Sequence, residues 1–596
     1  MSHKLSNLSI IAIDCQATGA NPDKNNLLEV GWAEVYGSNG ANRPPLEVNS
    51  YLVKLPDNVK ISRQVERITG ITSELIKSGY QTDTIRKKLC RSAQNIIQAN
   101  GMELCPAIIH FARFEEPYLK KLIEENVPDT IFPFEIICTH EITKRLLPEL
   151  PRRGIRAIAG YFGLSVHELR RAGHHVSATV FIWCKLVTLL EKECGIKTLD
   201  ALRNWLAETI ASSRTGRAYP MESKIRLGLP DTSGIYRMFR SNGDILYIGK
   251  AKSLKRRVNS YFQNKTQHSE HILEMLTQAV NIEVTETNSA LEAALLESDE
   301  IKRNTPPYNV SLRKRNRKIW FGTKVMNQFS QRPDEEHTIG PLLSKETLES
   351  LPVIVHLLKY QVCPDEIDIK NLCSTALNIP GEYVPDIDCF FDGFTMFQDK
   401  YTDFFINNAT IRHLMRLGSV LWHERFEADI ADLETDSADD ACEDDPDRVD
   451  EDVMDSSVTS EFVWTPEAVV SSLERVILHG SFMIRRARWF CMLSESTLVW
   501  DTRNPQNTER HMVMFENGAV IMSDYLKNGA EIPLPPGCQK RLSERQESFD
   551  IPTYDRMRVL TTELRRLIGE NREISLCMSK NSILDKNRLE KLLRWV

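Results

Sequence analysis

The chain has 596 residues, 41% hydrophobic and 26% charged, the balance of a folded protein of roughly two to four domains. No apolar run approaches the roughly 20 residues that span a bilayer, and Ile10 to Ile13 is too short for a signal-peptide core; membrane and secreted classes are therefore not expected. Thirteen cysteines, none in a CxxC pair, read as reduced thiols of a cytoplasmic protein. The net charge of −7 is unevenly spread. Residues 427–455 hold 15 acidic side chains against one arginine, Arg448, which leaves +7 for the rest of the chain.

In chain order, residues 1–195 alternate strand and helix patterns. Apolar runs at 8–13 and 27–35 predict two strands, separated by a turn-rich stretch with Gly19, Asn21 and Pro22. Helical periodicity follows at 83–98, a third strand at 107–109, and helices at 115–125, 155–161 and 179–190. An amphipathic helix at 197–211 and a polar stretch at 212–223 read as helix and linker, over 196–222. A compact unit at 223–318 is predicted as strand, hairpin turn at 241–244, strand, then helices. Residues 319–426 form a mixed extension. The acidic segment 427–460 is expected to be disordered, because it cannot bury enough apolar surface to order itself. Residues 461–596 read as a C-terminal domain opening on a helix at 466–478. The fold class is α/β multidomain.

The central unit carries the chemistry. Gly234-Ile235-Tyr236 and Tyr247-Ile248-Gly249 lie on successive strands, followed by Lys250, Lys252, Lys255, Arg256 and Arg257. Next come a helix with Glu297 in an apolar context and the stretch Pro307-Tyr308-Asn309. Residues 223–320 carry 17 basic against 10 acidic side chains, a density suited to a phosphodiester backbone. Cleaving that backbone requires a base for water, a cation for the crowded phosphate oxygens, and a metal. A tyrosine ordinarily ionises near pH 10, and adjacent Lys, Arg and a metal ion favour its phenolate and can lower that value.

"SGIYRMFRSNGDILYIGKAKSLKRRVNSYF" and "NSALEAALLESDEIKRNTPPYNVSLR" resemble the GIY-YIG nuclease domain of the excision-repair endonuclease UvrC and its short paralogue Cho. The resemblance implies Tyr236 as general base, with Tyr247 packed or hydrogen-bonded beside the scissile phosphate. It implies Arg257 as the phosphate-stabilising arginine with Lys250 as helper, Glu297 as the sole metal carboxylate for Mg²⁺ or Mn²⁺, and Asn309 as the residue that orients the site. Lys252, Lys255 and Arg256 are expected to contact DNA.

In the first domain, "IAIDCQATGA", "LLEVGWAEV", "IIHFARFEEPYL" and "AGHHVSATVFIW" resemble the RNase H-like DEDDh 3′–5′ exonucleases of the DnaQ type. That family holds two metal ions with four carboxylates, and a histidine activates water. Asp14 matches the first carboxylate, but Gln16 stands at the second, and Glu115 takes the third with one methylene more. The histidine is His174 or His175, and Thr179 and Val180 stand where the last aspartate is expected. The ligand set is thus degenerate, and an inactive exonuclease is expected.

Near the C-terminus, Arg485, Arg486, Arg488 and Trp489 form a basic-aromatic cluster, read either as a DNA-contacting surface or as an amphipathic element with a core tryptophan. The whole sequence predicts a metal-dependent endonuclease that nicks damaged double-stranded DNA in nucleotide excision repair, with a UvrB-like helicase as a candidate partner. A 3′–5′ exonuclease and a non-catalytic DNA-binding scaffold are the alternatives.

Overall fold

A computed structural model describes residues 3–36, 46–56, 59–124, 131–165, 169–208, 217–263, 268–309, 317–360, 385–405, 409–433, 464–502, 509–579 and 582–594, with backbone alone at 425–433. The chain packs as two compact units, one of Met1–Ala293 with Asn304–Val310, the other of Ala294–Arg303 with Ser311–Val596.

The first unit begins with a five-stranded sheet, β1 (Ile10–Ala17), β2 (Leu27–Val35), β3 (Asn49–Leu52), β4 (Cys105–Ile109) and β5 (Phe134–Cys138), in the order β3-β2-β1-β4-β5. β1 is antiparallel to β2 and parallel to β4, and β4 is parallel to β5. Successive side chains of a strand point to opposite faces, and β1 is apolar on both. Ile10 and Ala12 enter a core with Val176, Ile182 and Leu186, while Ile11, Ile13 and Cys15 enter another with Leu89 and Leu119. A central strand covered on both sides must read as a continuous apolar run, which is why it is legible in the sequence. Asp14 falls on the face shared with Ile10 and Ala12, toward the helix Ala172–Cys194. That helix is long and apolar enough to cross a membrane by length and composition, yet it packs on β1 and β2.

Two boundaries differ from the sequence reading. The helix expected at 197–211 runs Leu199–Ala207 and belongs to the first domain, since Leu199 and Leu202 complete its core and the Leu5 N–H donates to Lys197 O at 2.8 Å. The second domain starts before residue 223, because Met221 is buried with Tyr236 and Leu254.

That domain is a three-stranded antiparallel sheet, β6 (Gly234–Phe239), β7 (Ile245–Ala251) and β8 (Asn281–Glu286), in the order β7-β6-β8. The hairpin turn sits where expected: Arg240 N–H donates to Asp244 O at 2.9 Å, and Gly243 supplies φ +89°. Ser253 caps the helix Leu254–Ser260 by accepting from Arg256 N–H at 3.2 Å, and Ser269 caps the helix Glu270–Gln278. The helix Ala290–Asn304 follows β8 in the chain.

The second unit holds a small sheet, β9 (Trp320–Gly322), β10 (Phe329–Ser330) and β11 (Ile339–Leu342), and an antiparallel sheet, β12 (Thr497–Asp501), β13 (Glu509–Glu516), β14 (Ala519–Lys527), β15 (Ile574–Ser579) and β16 (Ser582–Asp585). The order of the latter is β14-β13-β12-β15-β16. The helix expected to stop at 478 runs Pro466–Leu493. Gly480 and Ser481 lie inside it as contact points. A Cβ on Gly480 would lie 3.0 Å from Leu351, and one on Gly418 would lie 2.6 Å from Ser481. The helix Ile411–Leu433 runs past residue 427, where the acidic segment was expected to begin; residues 434–463 lie outside the described residues.

The basic-aromatic cluster lies within the Pro466–Leu493 helix and divides its side chains. Trp489 is buried and donates to Thr561 Oγ1 at 3.1 Å. Arg485 donates to Ser419 Oγ, and the Arg486 guanidinium lies over Phe490 at 5.3 Å. Arg488 alone is exposed. Of the two readings of this cluster, the packing of Arg485, Arg486 and Trp489 agrees with the amphipathic element with a core tryptophan.

Candidate functional sites

On β6 and β7, register brings Tyr236 opposite Gly249 and Ile235 opposite Lys250. A Cβ on Gly249 would lie 2.5 Å from Tyr236 Cζ and Oη and 2.8 Å from Tyr247 Cε1, so only glycine leaves room for both rings. The ring centroids of Tyr236 and Tyr247 are 6.0 Å apart. Tyr236 is fully buried, and its hydroxyl shares a hydrogen bond of 2.9 Å with that of Tyr261. Arg257, one helical turn before Tyr261, lies 5.2 Å over its ring. The geometry therefore adds Tyr261 to the cluster. The sequence reading singled out the tyrosines of the two tripeptides and passed over this one, although the i, i+4 spacing from Arg257 places both on one face.

Burial pushes the Tyr236 phenol well above its ordinary value, with Tyr261 and Tyr247 adding to the effect and Arg257 opposing it. In the protein alone, desolvation outweighs the pull of the arginine on the phenolate. Burial works against the Arg257 charge, yet the neighbouring tyrosines Tyr236, Tyr261 and Tyr247 raise its pKa, and it stays a cation.

Lys252, Lys255 and Arg256 are exposed and Lys250 is half-exposed, with Arg256 3.7 Å from Asp231. Asn309 is buried. Its Oδ1 accepts from Ile248 N–H at 3.0 Å and its Nδ2 donates to Ile248 O at 2.8 Å, so it acts as a strand partner for the edge of β7 beside Tyr247. Glu297 is partly exposed on the Ala290–Asn304 helix, next to fully buried Ser298. Five residues of that helix, Ala290–Ala293 and Asn304, and the segment holding Asn309 belong to the first unit, and Glu297 to the second.

In the first domain, Asp14 and Glu115 are buried and His175 is brought to Asp14, with Nδ1 and Oδ1 3.1 Å apart. Gln16 donates to the other Asp14 oxygen at 3.1 Å. His174 is exposed, so of the two histidines it is His175 that reaches the site. Burial raises the Asp14 carboxyl against the pull of His175, and burial with Asp14 raises Glu115 well above the carboxylate range. For His175, burial disfavours the charge but the hydrogen bond and charge of Asp14 outweigh it, and its pKa is raised. Glu115 Oε2 and Thr179 Oγ1 are buried without hydrogen-bond partners. The cleft here, about 460 Å³, is lined by Asp14, Glu115, His175, Arg152 and Arg153, and by Glu274 from the second domain. Among the described residues, no three His, Cys, Asp or Glu side chains gather as a possible metal cage.

Two families match the chain: an exonuclease family over residues 11–176 and the UvrC-like GIY-YIG domain over residues 232–310. A Mycobacterium tuberculosis protein named "Putative bifunctional exonuclease/endonuclease protein" is 24% identical over 352 residues, 56% of this chain and 50% of the relative. The UvrABC system protein C of Rhizobium johnstonii is 49% identical over 85 residues, 14% of this chain and 12% of the relative. The chain thus spans half or less of the length of these curated relatives. Among solved structures, the magnesium-bound GIY-YIG N-terminal endonuclease domain of Thermotoga maritima UvrC is 34% identical. It covers 15% of this chain and 100% of that one, with a TM-score of 0.14. Exonuclease X in complex with 5′ overhanging duplex DNA is 20% identical and covers 32% of this chain and 98% of that one, with a TM-score of 0.22.

Proposed function

From a chain that carries an exonuclease domain followed by a UvrC-like GIY-YIG domain, we propose a DNA endonuclease that hydrolyses one phosphodiester bond beside a lesion in duplex DNA, in nucleotide excision repair. The observation that carries this reading is the cluster of Tyr236, Tyr261 and Arg257 framed by Gly249. The Tyr236 and Tyr261 hydroxyls, bonded to each other beneath the Arg257 guanidinium, set a proton acceptor and a cation side by side, the two kinds of group that phosphodiester hydrolysis calls on. Beside a phosphodiester, the arginine neutralises developing charge and Tyr236 receives the proton of the attacking water. The basic side chains of 250–257 hold the strand through its phosphates. The incision falls on the 3′ side of the lesion, as a single cut.

Glu297 suits a divalent cation, since Mg²⁺ takes few protein ligands and keeps its waters, and this carboxylate is partly exposed. The cation, Mg²⁺ or Mn²⁺, would supply charge for the phosphate and leaving oxygens. The first domain is a degenerate exonuclease: two carboxylates remain of four, and His175 is engaged by Asp14. The enzyme acts in the bacterial cytoplasm, with a UvrB-like helicase as loading partner.

The test is incision of an end-labelled duplex with one bulky adduct, by wild type and by Glu297→Gln. One Mg²⁺-dependent nick that Glu297→Gln abolishes, with DNA affinity within about twofold, is the expected result; incision by the variant near the wild-type rate would refute the site. Because Tyr236 must ionise from a raised pKa, the nicking rate is expected to climb without a plateau to about pH 9 or beyond. A plateau near pH 7 would assign the proton to another group.

A further inference from the structure

The two domains of the first unit are joined by a series of polar contacts that ends on the strand of Tyr247. From the exonuclease-like domain, Arg152 pairs with Glu270 at 2.6 Å, its backbone N–H donates to Thr277 Oγ1 at 3.1 Å, and Arg156 faces Glu274 at 3.7 Å. Glu274 accepts the Tyr308 hydroxyl at 2.7 Å. Fully buried Gln278, four residues on, donates to the same hydroxyl and to Glu274 O, and accepts from Arg240 Nε at 2.9 Å. The helices Ile155–Tyr161 and Glu270–Gln278 approach so closely that a Cβ on Gly160 would fall on the Gln278 side chain.

From Tyr308 the path enters the backbone. Tyr308 N–H donates to Leu246 O at 3.1 Å, and the next residue, Asn309, clamps both polar groups of Ile248. Leu246 and Ile248 flank Tyr247. β7 is an edge strand, so these are the bonds that occupy its outer side. An edge strand lacking such partners is free to twist and fray.

We propose that the exonuclease-like domain is a positioning element of the endonuclease: Arg152 and Arg156 hold the Glu270–Gln278 helix so that Glu274 fixes Tyr308, and with it the Asn309 clamp on the Tyr247 strand. The inference rests on the endonuclease reading for its consequence, though the mechanical link is measurable without it. It gives the first domain a use that needs no metal. Tyr308, Glu274 and Arg156 act here as positioning residues, distant from the bond that is cut.

The test uses the full chain and two readouts, hydrogen–deuterium exchange at the Ile248 amide and kcat and KM for Mg²⁺-dependent nicking. Tyr308→Phe removes a hydrogen bond to a carboxylate and is expected to speed Ile248 exchange about tenfold, with a matching fall in kcat and an unchanged KM. Arg156→Ala, at a partly exposed pair, is expected to give about threefold in the same direction, and Arg156→Lys to restore most of it. Where Tyr308→Phe fails to fold, Arg156→Ala decides. Unchanged exchange in these variants overturns the proposal, whatever happens to kcat, as does a rise in KM with kcat intact. If wild type makes no nick while Ile248 exchange still responds, the endonuclease reading fails and the link between the domains stands.

Discussion

Gly249 faces Tyr236 across the hairpin, and the space its side chain would fill is occupied by two phenol rings. Gly249→Ala is therefore expected to destabilise the first unit by about 1–3 kcal/mol, the usual cost of overpacking, and to abolish nicking; melting with an unchanged Tm would show that the rings yield. In the other site, the raised pKa of His175 sets a pH signature. A histidine raised in the folded state adds stability that is complete below its unfolded value of about 6.5 and disappears as pH rises through the folded value. His175→Gln should thus cost about 1–2 kcal/mol at pH 5.5 and little at pH 9, read from urea unfolding at both pH values; an equal loss at both would mean that the Asp14 pair contributes nothing. Asp14 and Glu115, also raised, have the same sign, each losing stability as pH rises. At this scale the sequence names the residues but not their protonation. Tyr236, Tyr247, Arg257 and Asn309 are picked out in the sequence by the resemblance to the GIY-YIG domain, whereas the burial that raises Tyr236 and the Asn309 bonds to Ile248 are properties of the packed sheet.

Strands and helices with a long periodic pattern are legible in the chain, and short ones bounded by polar residues are not. β2 runs Leu27–Val35 as its pattern predicts, and the helix expected at 83–98 runs Thr82–Asn100, burying Ile85, Leu89, Ala93 and Ile96 on one face. β3, only four residues with a half-exposed pattern, leaves no such trace. The Ala290–Asn304 helix shows a feature that composition hides: its C-terminal half is tied to the helix Ile551–Gly569 by ion pairs. Lys302 and Arg317 meet Asp555 at 2.9 and 2.7 Å, and Arg556 meets Asp299 at 3.0 Å. Asp555 is fully buried, and burial pulls the Lys302 pKa down against the charge of Asp555. Removing one member of a buried cluster leaves the others uncompensated. Asp555→Ala is expected to lower the unfolding free energy by about 3–5 kcal/mol, and Asp555→Ala with Lys302→Met to recover part of that. A loss under about 1 kcal/mol would place these charges in contact with water.

Across the whole molecule, charge is segregated by sequence: residues 427–455 carry −14 and the remainder +7, within a net −7. Duplex DNA binds through the release of counterions by cationic side chains, and a tethered polyanion competes for those same cations. The strength of that competition depends on ionic strength, since the Debye length falls from about 30 Å at 0.01 M salt to about 10 Å at 0.1 M. Deleting residues 427–455 should therefore tighten duplex binding about tenfold at low salt and little at high salt, and steepen the dependence of log Kd on log salt. Fluorescence anisotropy over a salt series on full-length and deleted chains measures both quantities. Equal affinities at every salt concentration would show that the acidic residues do not reach the basic face of 250–257, and that the segregation of charge serves solubility instead.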